Sequence, residues 1–134
     1  MFGTFDTSTS GLTAQRVRLE TIASNIANID SVKDADGNVN PYRRVYPIFE
    51  AQRTARGGAG VRVSKVAEDQ SGFVEKYEPW NRELADANGI VRYPNVNLST
   101  EYVNAMETTR AYEANVTAIE TTKSMMAATL RILA

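Results

Sequence analysis

Apolar residues recur at helical spacing near both ends of this 134-residue chain, while the middle alternates in short bursts. Phe5, Leu12, Leu19 and Ile26 fall every seven residues, and Ile22 and Ile29 fill the intervening positions of the last two heptads. That pattern predicts a helix over residues 5–29. Ser8 and Gln15 hold the matching positions earlier, so the seam weakens toward the N-terminus. Gly11 costs a helix about 1 kcal/mol relative to alanine. It marks either a close backbone approach or a frayed helix start.

The C-terminal pattern is longer. Asn97 or Ser99 is placed to cap a helix running to the end of the chain. Leu98, Tyr102, Ala105, Thr109, Tyr112, Val116, Ile119, Lys123, Met126, Leu130 and Leu133 keep an unbroken four-three spacing, and Thr109 and Lys123 alone in it are not apolar. A second stripe keeps the same spacing along the helix. It carries mostly small side chains: Ala111, Ala114, Ala118, Thr121, Met125, Ala128 and Ile132. A large seam beside a small one is wider than one partner helix covers. The first helix of the chain is expected to cover the large seam, through Leu12, Leu19, Ile22, Ile26 and Ile29, leaving the small seam to a neighbouring subunit.

Between the helices, Asp34, Asp36, Gly37, Asn38 and Pro41 crowd turn formers into a loop. The run Asp34–Asn38 fails as a calcium loop: Val39 stands where glycine is needed and Val45 where a bidentate glutamate is needed. Short strands are expected at Val45–Phe49, Val61–Val63, Phe73–Tyr77 and Ile90–Tyr93, with Pro47 restricting the first to an edge or a bulge. The cluster Gly57-Gly58-Ala59-Gly60 and the dipeptide Asn88-Gly89 punctuate them, the latter a hairpin signal. The glycine cluster is no phosphate loop, since no Gly-Lys-Ser/Thr follows it. The expected fold is mainly α with a small β insert: long N- and C-terminal helices packed as a coiled coil, with short strands and hairpins between them. Residues 1–30 and 97–134 make the helical domain, 31–44 a loop, and 45–96 the β-rich insert.

Composition narrows the chemistry. A net charge of −1 gives no basic face for nucleic acid. No apolar run approaches the length of a membrane span, and the N-terminal residues lack the basic and apolar regions of a Sec signal peptide. The chain has no Cys and no His, which removes thiol nucleophiles, imidazole bases and the common zinc ligands. Carboxylate pairs remain, Asp34 with Asp36 and Glu68 with Asp69, but both lie in turn-rich segments without a base nearby. No enzyme and no cofactor is expected. With one seam uncovered, the helical ends are expected to be disordered in the lone chain and to become helical on polymerisation. A cytoplasmic coiled-coil adaptor forming a closed oligomer is the alternative.

Two stretches carry a resemblance. Leu19-Glu20-Thr21-Ile22-Ala23-Ser24-Asn25-Ile26-Ala27-Asn28-Ile29-Asp30-Ser31 is similar to the N-terminal signature of the flagellar rod, hook and hook-associated family. Arg110-Ala111-Tyr112-Glu113-Ala114-Asn115-Val116, then Thr122-Lys123-Ser124-Met125-Met126, resembles its C-terminal end. Tyr77-Glu78-Pro79, Leu84–Gly89 and Pro94-Asn95-Val96 point within that family to a rod subunit. Trp80 and Arg82-Glu83 depart from it, standing where relatives more often have small residues and a proline.

The resemblance implies a structural subunit of the proximal rod, exported unfolded through the flagellar type III apparatus and assembled in the periplasm without membrane insertion. Its implied partners are copies of itself, other rod proteins, membrane-ring or adapter proteins at the rod base, and the export apparatus. In that setting Ser24, Asn25 and Asn28 are expected to fix register across subunit boundaries, the alternative being solvent or capping roles. Arg110 and Glu113 are expected to pair between subunits. Tyr102, Tyr112, Ala114, Val116, Ala118, Ile119, Met125, Met126, Leu130 and Leu133 are expected to pack.

Overall fold

A computed structural model describes residues 2–53 and 58–133, so Gly57 of the glycine cluster lies outside the described residues. Along the described chain run α1 (Phe2–Ala27), β1 (Val45–Arg53), β2 (Ala59–Glu68), β3 (Val74–Tyr77), β4 (Ile90–Tyr93) and α2 (Leu98–Leu133). The chain is mainly helical with a small β part. The two predicted helices and four predicted strands are present, with shifted bounds. β1 and β2 run several residues past the apolar cores that signalled them.

Each helix boundary has a local cause. Asn97 caps α2: its Oδ1 accepts from the Thr100 N–H at 3.1 Å, and its carbonyl from the Glu101 N–H at 3.0 Å. α1 stops two residues before the sequence pattern does. The Asn28 side-chain amide donates to the Ser24 carbonyl at 2.9 Å, taking up a terminal acceptor, and Ser31 N–H turns back to the Asn28 carbonyl at 3.1 Å. In the following loop Asp34 Oδ1 accepts from the Asp36 and Asn38 N–H groups at 3.0 and 2.9 Å. Gly37 there adopts φ +82°, closing a turn over the Lys33–Val39 bridge.

The chain divides into two compact units. The terminal unit holds Met1–Glu20, Pro47–Val66 and Ala105–Ala134; the medial unit holds Thr21–Tyr46 and Ala67–Asn104. Each helix therefore contributes a segment to both.

In the terminal unit the helix segments lie side by side in opposite directions. Arg18 pairs with Glu107 at 3.1 Å, and Gly11 faces Asn115 so closely that a Cβ there would stand 2.9 Å from Asn115 Nδ2. Gly11 thus marks a close approach in an intact helix. α1 also holds β2: Ser10 Oγ accepts from the Val61 N–H at 3.1 Å, and the Thr7 hydroxyl donates to the Ala59 carbonyl. β1 and β2 pair in a two-stranded sheet, so Pro47 sits on an edge as expected.

In the medial unit β3 and β4 pair antiparallel, with Val74 opposite Tyr93 and Tyr77 opposite Ile90. Asn88-Gly89 does not form a two-residue hairpin between them. It closes a tight turn at the end of the long connection after β3: Asp86 Oδ1 accepts from the Asn88 and Ile90 N–H groups at 2.8 and 3.0 Å, and Gly89 adopts φ +75°. The Asp86 carboxyl is held below its ordinary pKa by those two N–H donors, foremost that of Ile90. Val91, Pro94 and Val96 are buried in this unit with Ile22 and Val32.

Candidate assembly surface

A buried polar cluster organises the medial unit. Glu101, in the first turn of α2, is 0% exposed and accepts from Arg44 Nε at 2.6 Å and Asn25 Nδ2 at 3.3 Å. Asn25, 1% exposed, also donates to the Val45 carbonyl at 2.8 Å; its Oδ1 accepts from the Val45 N–H at 2.9 Å and the Tyr42 hydroxyl at 3.1 Å. Asn95 Oδ1 accepts from the Arg44 N–H at 2.8 Å, while its amide donates to the Asp69 carbonyl at 3.1 Å and Ser71 Oγ at 2.9 Å. Arg43 donates to the Asp69 carbonyl at 3.2 Å and stacks 4.4 Å over the Phe73 ring. The Asp69 carboxyl is held below its ordinary pKa, first by the Ser71 N–H and hydroxyl and then by the Arg44 and Arg43 charges. Both carboxylate pairs weighed for acid–base work thus contribute turn-building groups, Asp34 and Asp69.

The cluster holds the three side chains expected to fix register. Asn25 uses both atoms of its amide inside the chain, so it ties α1 to the start of β1 and of α2. Ser24 lies 3.2 Å from the Tyr42 hydroxyl, and the Asn28 amide is bound to Ser24 O and Ser31 Oγ. All three side chains have partners within the medial unit. The sequence reading missed Glu101, Arg44, Tyr42 and Asn95. Glu101 is one of several acids along α2, and nothing local says which of them is buried.

A second expectation concerns the face of α2 that the chain itself covers. The most buried positions of α2 are Glu101 in the medial unit and Thr108 and Thr122 in the terminal unit. With Asn115 they stand seven residues apart along α2, on one stripe of the helix, and that stripe is polar. The large apolar seam is offset from it. Leu98, Tyr102, Tyr112, Leu130 and Leu133 are exposed; Ala105, Val116, Ile119 and Met126 are half-buried at the border.

Size explains the offset in the terminal unit. The buried and close-packed positions of α1 there are Ser8, Gly11 and Ala14, and such small side chains set a short helix separation that admits Thr and Asn but not tyrosine. The polar burial is cheap, because the Thr122 hydroxyl donates to the Ala118 carbonyl at 2.8 Å.

The remaining expected packing residues divide in two. On α1, Ile22 is buried and Leu12, Leu19 and Ile26 are half-buried, as is Ile29 in the turn that follows. On α2, Ala114, Ala118 and Met125 of the small seam are exposed, as are Arg110 and Glu113. Val103, Met106 and Ile132 add to the exposed apolar surface of this helix. In the medial unit Trp80 is 76% exposed, and Glu83 of the same loop pairs with Lys33 at 3.1 Å. Among the described residues no group of acidic side chains is arranged to hold a metal ion, and no helix is long and apolar enough to cross a membrane.

An exposed apolar stripe along a long terminal helix belongs to a protein that packs against others. Comparison with known proteins gives the same direction. Residues 5–33 match the family model described as flagella basal body rod protein, and residues 87–132 the one described as flagellar basal body rod FlgEFG protein C-terminal. The chain is 44% identical to the flagellar basal-body rod protein FlgC of Salmonella typhimurium, over 96% of this chain and 94% of that one. It is 47% identical to FlgC of Escherichia coli O6:H1 with the same coverage, and 40% identical to FlgC of Bacillus subtilis over 98% of this chain and 97% of that one.

The chain belongs to the FlgC family of flagellar basal-body rod proteins. It is a structural rod subunit of the flagellar basal body. The FlgC likeness spans the medial unit as well as the helical ends.

Proposed function

We propose that this rod subunit builds a helical tube wall, in which neighbouring subunits cover the apolar side chains of α2, and that the tube transmits torque from the membrane ring toward hook and filament. Residues 1–30 and 97–134 supply the wall as packed coiled-coil helices, 31–44 the connecting loop, and 45–96 the insert. The supporting observation is the exposed row Tyr102, Met106, Tyr112, Leu130 and Leu133, continued by the small seam at Ala114 and Ala118. Covering one large apolar side chain returns about 1.5–3 kcal/mol, which offsets the ordering of one or two residues, so the helix ends need many such contacts spread over several neighbours. Partners of this surface are copies of the chain and other rod proteins, with ring or adapter proteins at the rod base. The type III export apparatus delivers the unfolded chain. The role is mechanical and takes no cofactor.

Substitution of Ala114 or Ala118 by lysine or glutamate tests this. Both positions are exposed, so the altered chain is expected to keep its own fold and to be secreted normally. A charge desolvated against a neighbour is costly, so rod assembly and motility are expected to fail. Normal motility in both variants would remove the small seam from the wall.

A further inference from the structure

Trp80 is the chain's single tryptophan, and it stands in the open. An indole is seldom left so bare, because it has more apolar area to hide than most side chains. Here it is 76% exposed, on the connection between β3 and β4 of the medial unit. That connection is well tied. Glu78 N–H donates to the Gly89 carbonyl at 2.8 Å, Asn81 N–H to the Glu78 carbonyl at 3.0 Å and Ala85 N–H to the Asn81 carbonyl at 2.9 Å. Glu83 is paired with Lys33. The ring is thus carried on a fixed frame, and seating it against a partner costs little ordering.

The same unit holds an apolar cavity of about 240 Å³ walled by Val39, Pro41, Phe73, Leu84 and Ile90, with Arg92 and Asp86 as its polar lining. That is below the roughly 300–1,000 Å³ of small-molecule sites and suits one large side chain better than a free ligand. At its exposure Trp80 lies outside the cavity of its own chain. We propose that Trp80 of one copy docks in this cavity of the next copy, so that each subunit offers one knob and one hole.

The chemistry of the two surfaces matches. The walls are apolar, and the Arg92 guanidinium supplies a cation for the face of the indole. Charge agrees as well. At the cavity Arg92, with Arg43 over the Phe73 ring, outnumbers Asp86; beside Trp80, Glu78 and Glu83 outnumber Arg82. Opposite balances face each other when knob meets hole. Knob and hole are different places on one chain, so the contact is head-to-tail and repeats from copy to copy. A single aromatic anchor buries about 150–250 Å², far less than a stable interface, and so acts as the hot spot of a wider contact. None of its residues belongs to the seams of α2, so its failure and that of the seams are told apart.

A lone tryptophan makes fluorescence specific to this contact. In the full-length chain the emission is expected to shift to the blue as concentration rises, and to become shielded from a dissolved quencher. V39E sets a carboxylate where Val39 stands half exposed at the cavity, and is expected to abolish the shift. R92Q alters the polar lining alone and is expected to move the midpoint to about threefold higher concentration. A W80A chain keeps the hole without the knob, and a V39E chain keeps the knob without the hole. Mixed together, they are expected to restore the blue shift, all of it from the tryptophan of the V39E chain.

Circular dichroism checks that the variants keep their helix, and R92Q carries the test should V39E lose it. Emission already blue in the dilute chain would place Trp80 in its own chain's cavity. Emission that shifts only when another rod protein is added would give the ring to that partner. Either result overturns the proposal, as does emission that no concentration of the chain shifts. A shift that V39E and R92Q leave unchanged, or a mixture that shows none, overturns it too.

Discussion

At the scale of single residues, Glu101 is the side chain on which the medial unit most depends. Its carboxylate is out of contact with water and joins Arg44 to Asn25. Removing one member of a buried pair leaves the other uncompensated, a loss of about 3–5 kcal/mol when both are fully buried. Arg44 keeps some solvent contact and has Asp69 at 3.7 Å as a second carboxylate, so Glu101→Ala is expected to cost about 2–3 kcal/mol in denaturant melts of the full chain. Arg16→Ala, which breaks the exposed Arg16–Glu20 pair, is expected to change the same melt by less than about 0.5 kcal/mol. Equal effects would show that burial is not what gives the Glu101 pair its weight. The reach of Arg44 to a residue far along the chain was not legible, because no periodicity links positions 44 and 101.

At the scale of elements, the turn before β4 is a point where sequence and structure agree on the residue and differ on its task. Asn88-Gly89 signals a reversal, and the chain does reverse there, but within a longer connection built on Asp86. Gly89 has φ +75°, and a Cβ would stand 3.1–3.2 Å from Pro79 and Tyr77; Gly37 has φ +82° with open space around it. Alanine at position 37 meets only the left-handed strain, about 1 kcal/mol, whereas at position 89 it meets strain and crowding together, about 2 kcal/mol. Thermal melting is expected to rank Gly89→Ala below Gly37→Ala in midpoint, and the reverse ranking would contradict the crowding. The helices show the same division. Seven-residue spacing announced both, but Asn97 in place of Ser99 as cap was decided by which side chain reaches the first free N–H groups.

At the scale of the whole molecule, the balance between self-burial and exposure governs behaviour. The chain covers a narrow polar row of α2 and leaves Tyr102, Met106, Leu130, Ile132 and Leu133 to solvent. Helix ends held by so few apolar contacts are expected to fray in the lone chain. Far-ultraviolet circular dichroism of the dilute chain is therefore expected to show less helix than α1 and α2 would give together, and to gain helix as concentration drives assembly. Full helicity that holds on dilution would mean that the ends need no neighbour.

The sequence alone determined that there are two long helices with short strands between them, because side-chain spacing along the chain is local information that the backbone reads directly. It also determined that the chain has more apolar helix surface than it can hide. Only the tertiary structure decided which face of α2 the chain hides. That choice turns on meetings such as Gly11 with Asn115 and Asn25 with Glu101, where the size and polarity of residues distant in the chain must match. The apolar seam was therefore readable as a surface, while its orientation depended on small residues whose partners no local pattern names.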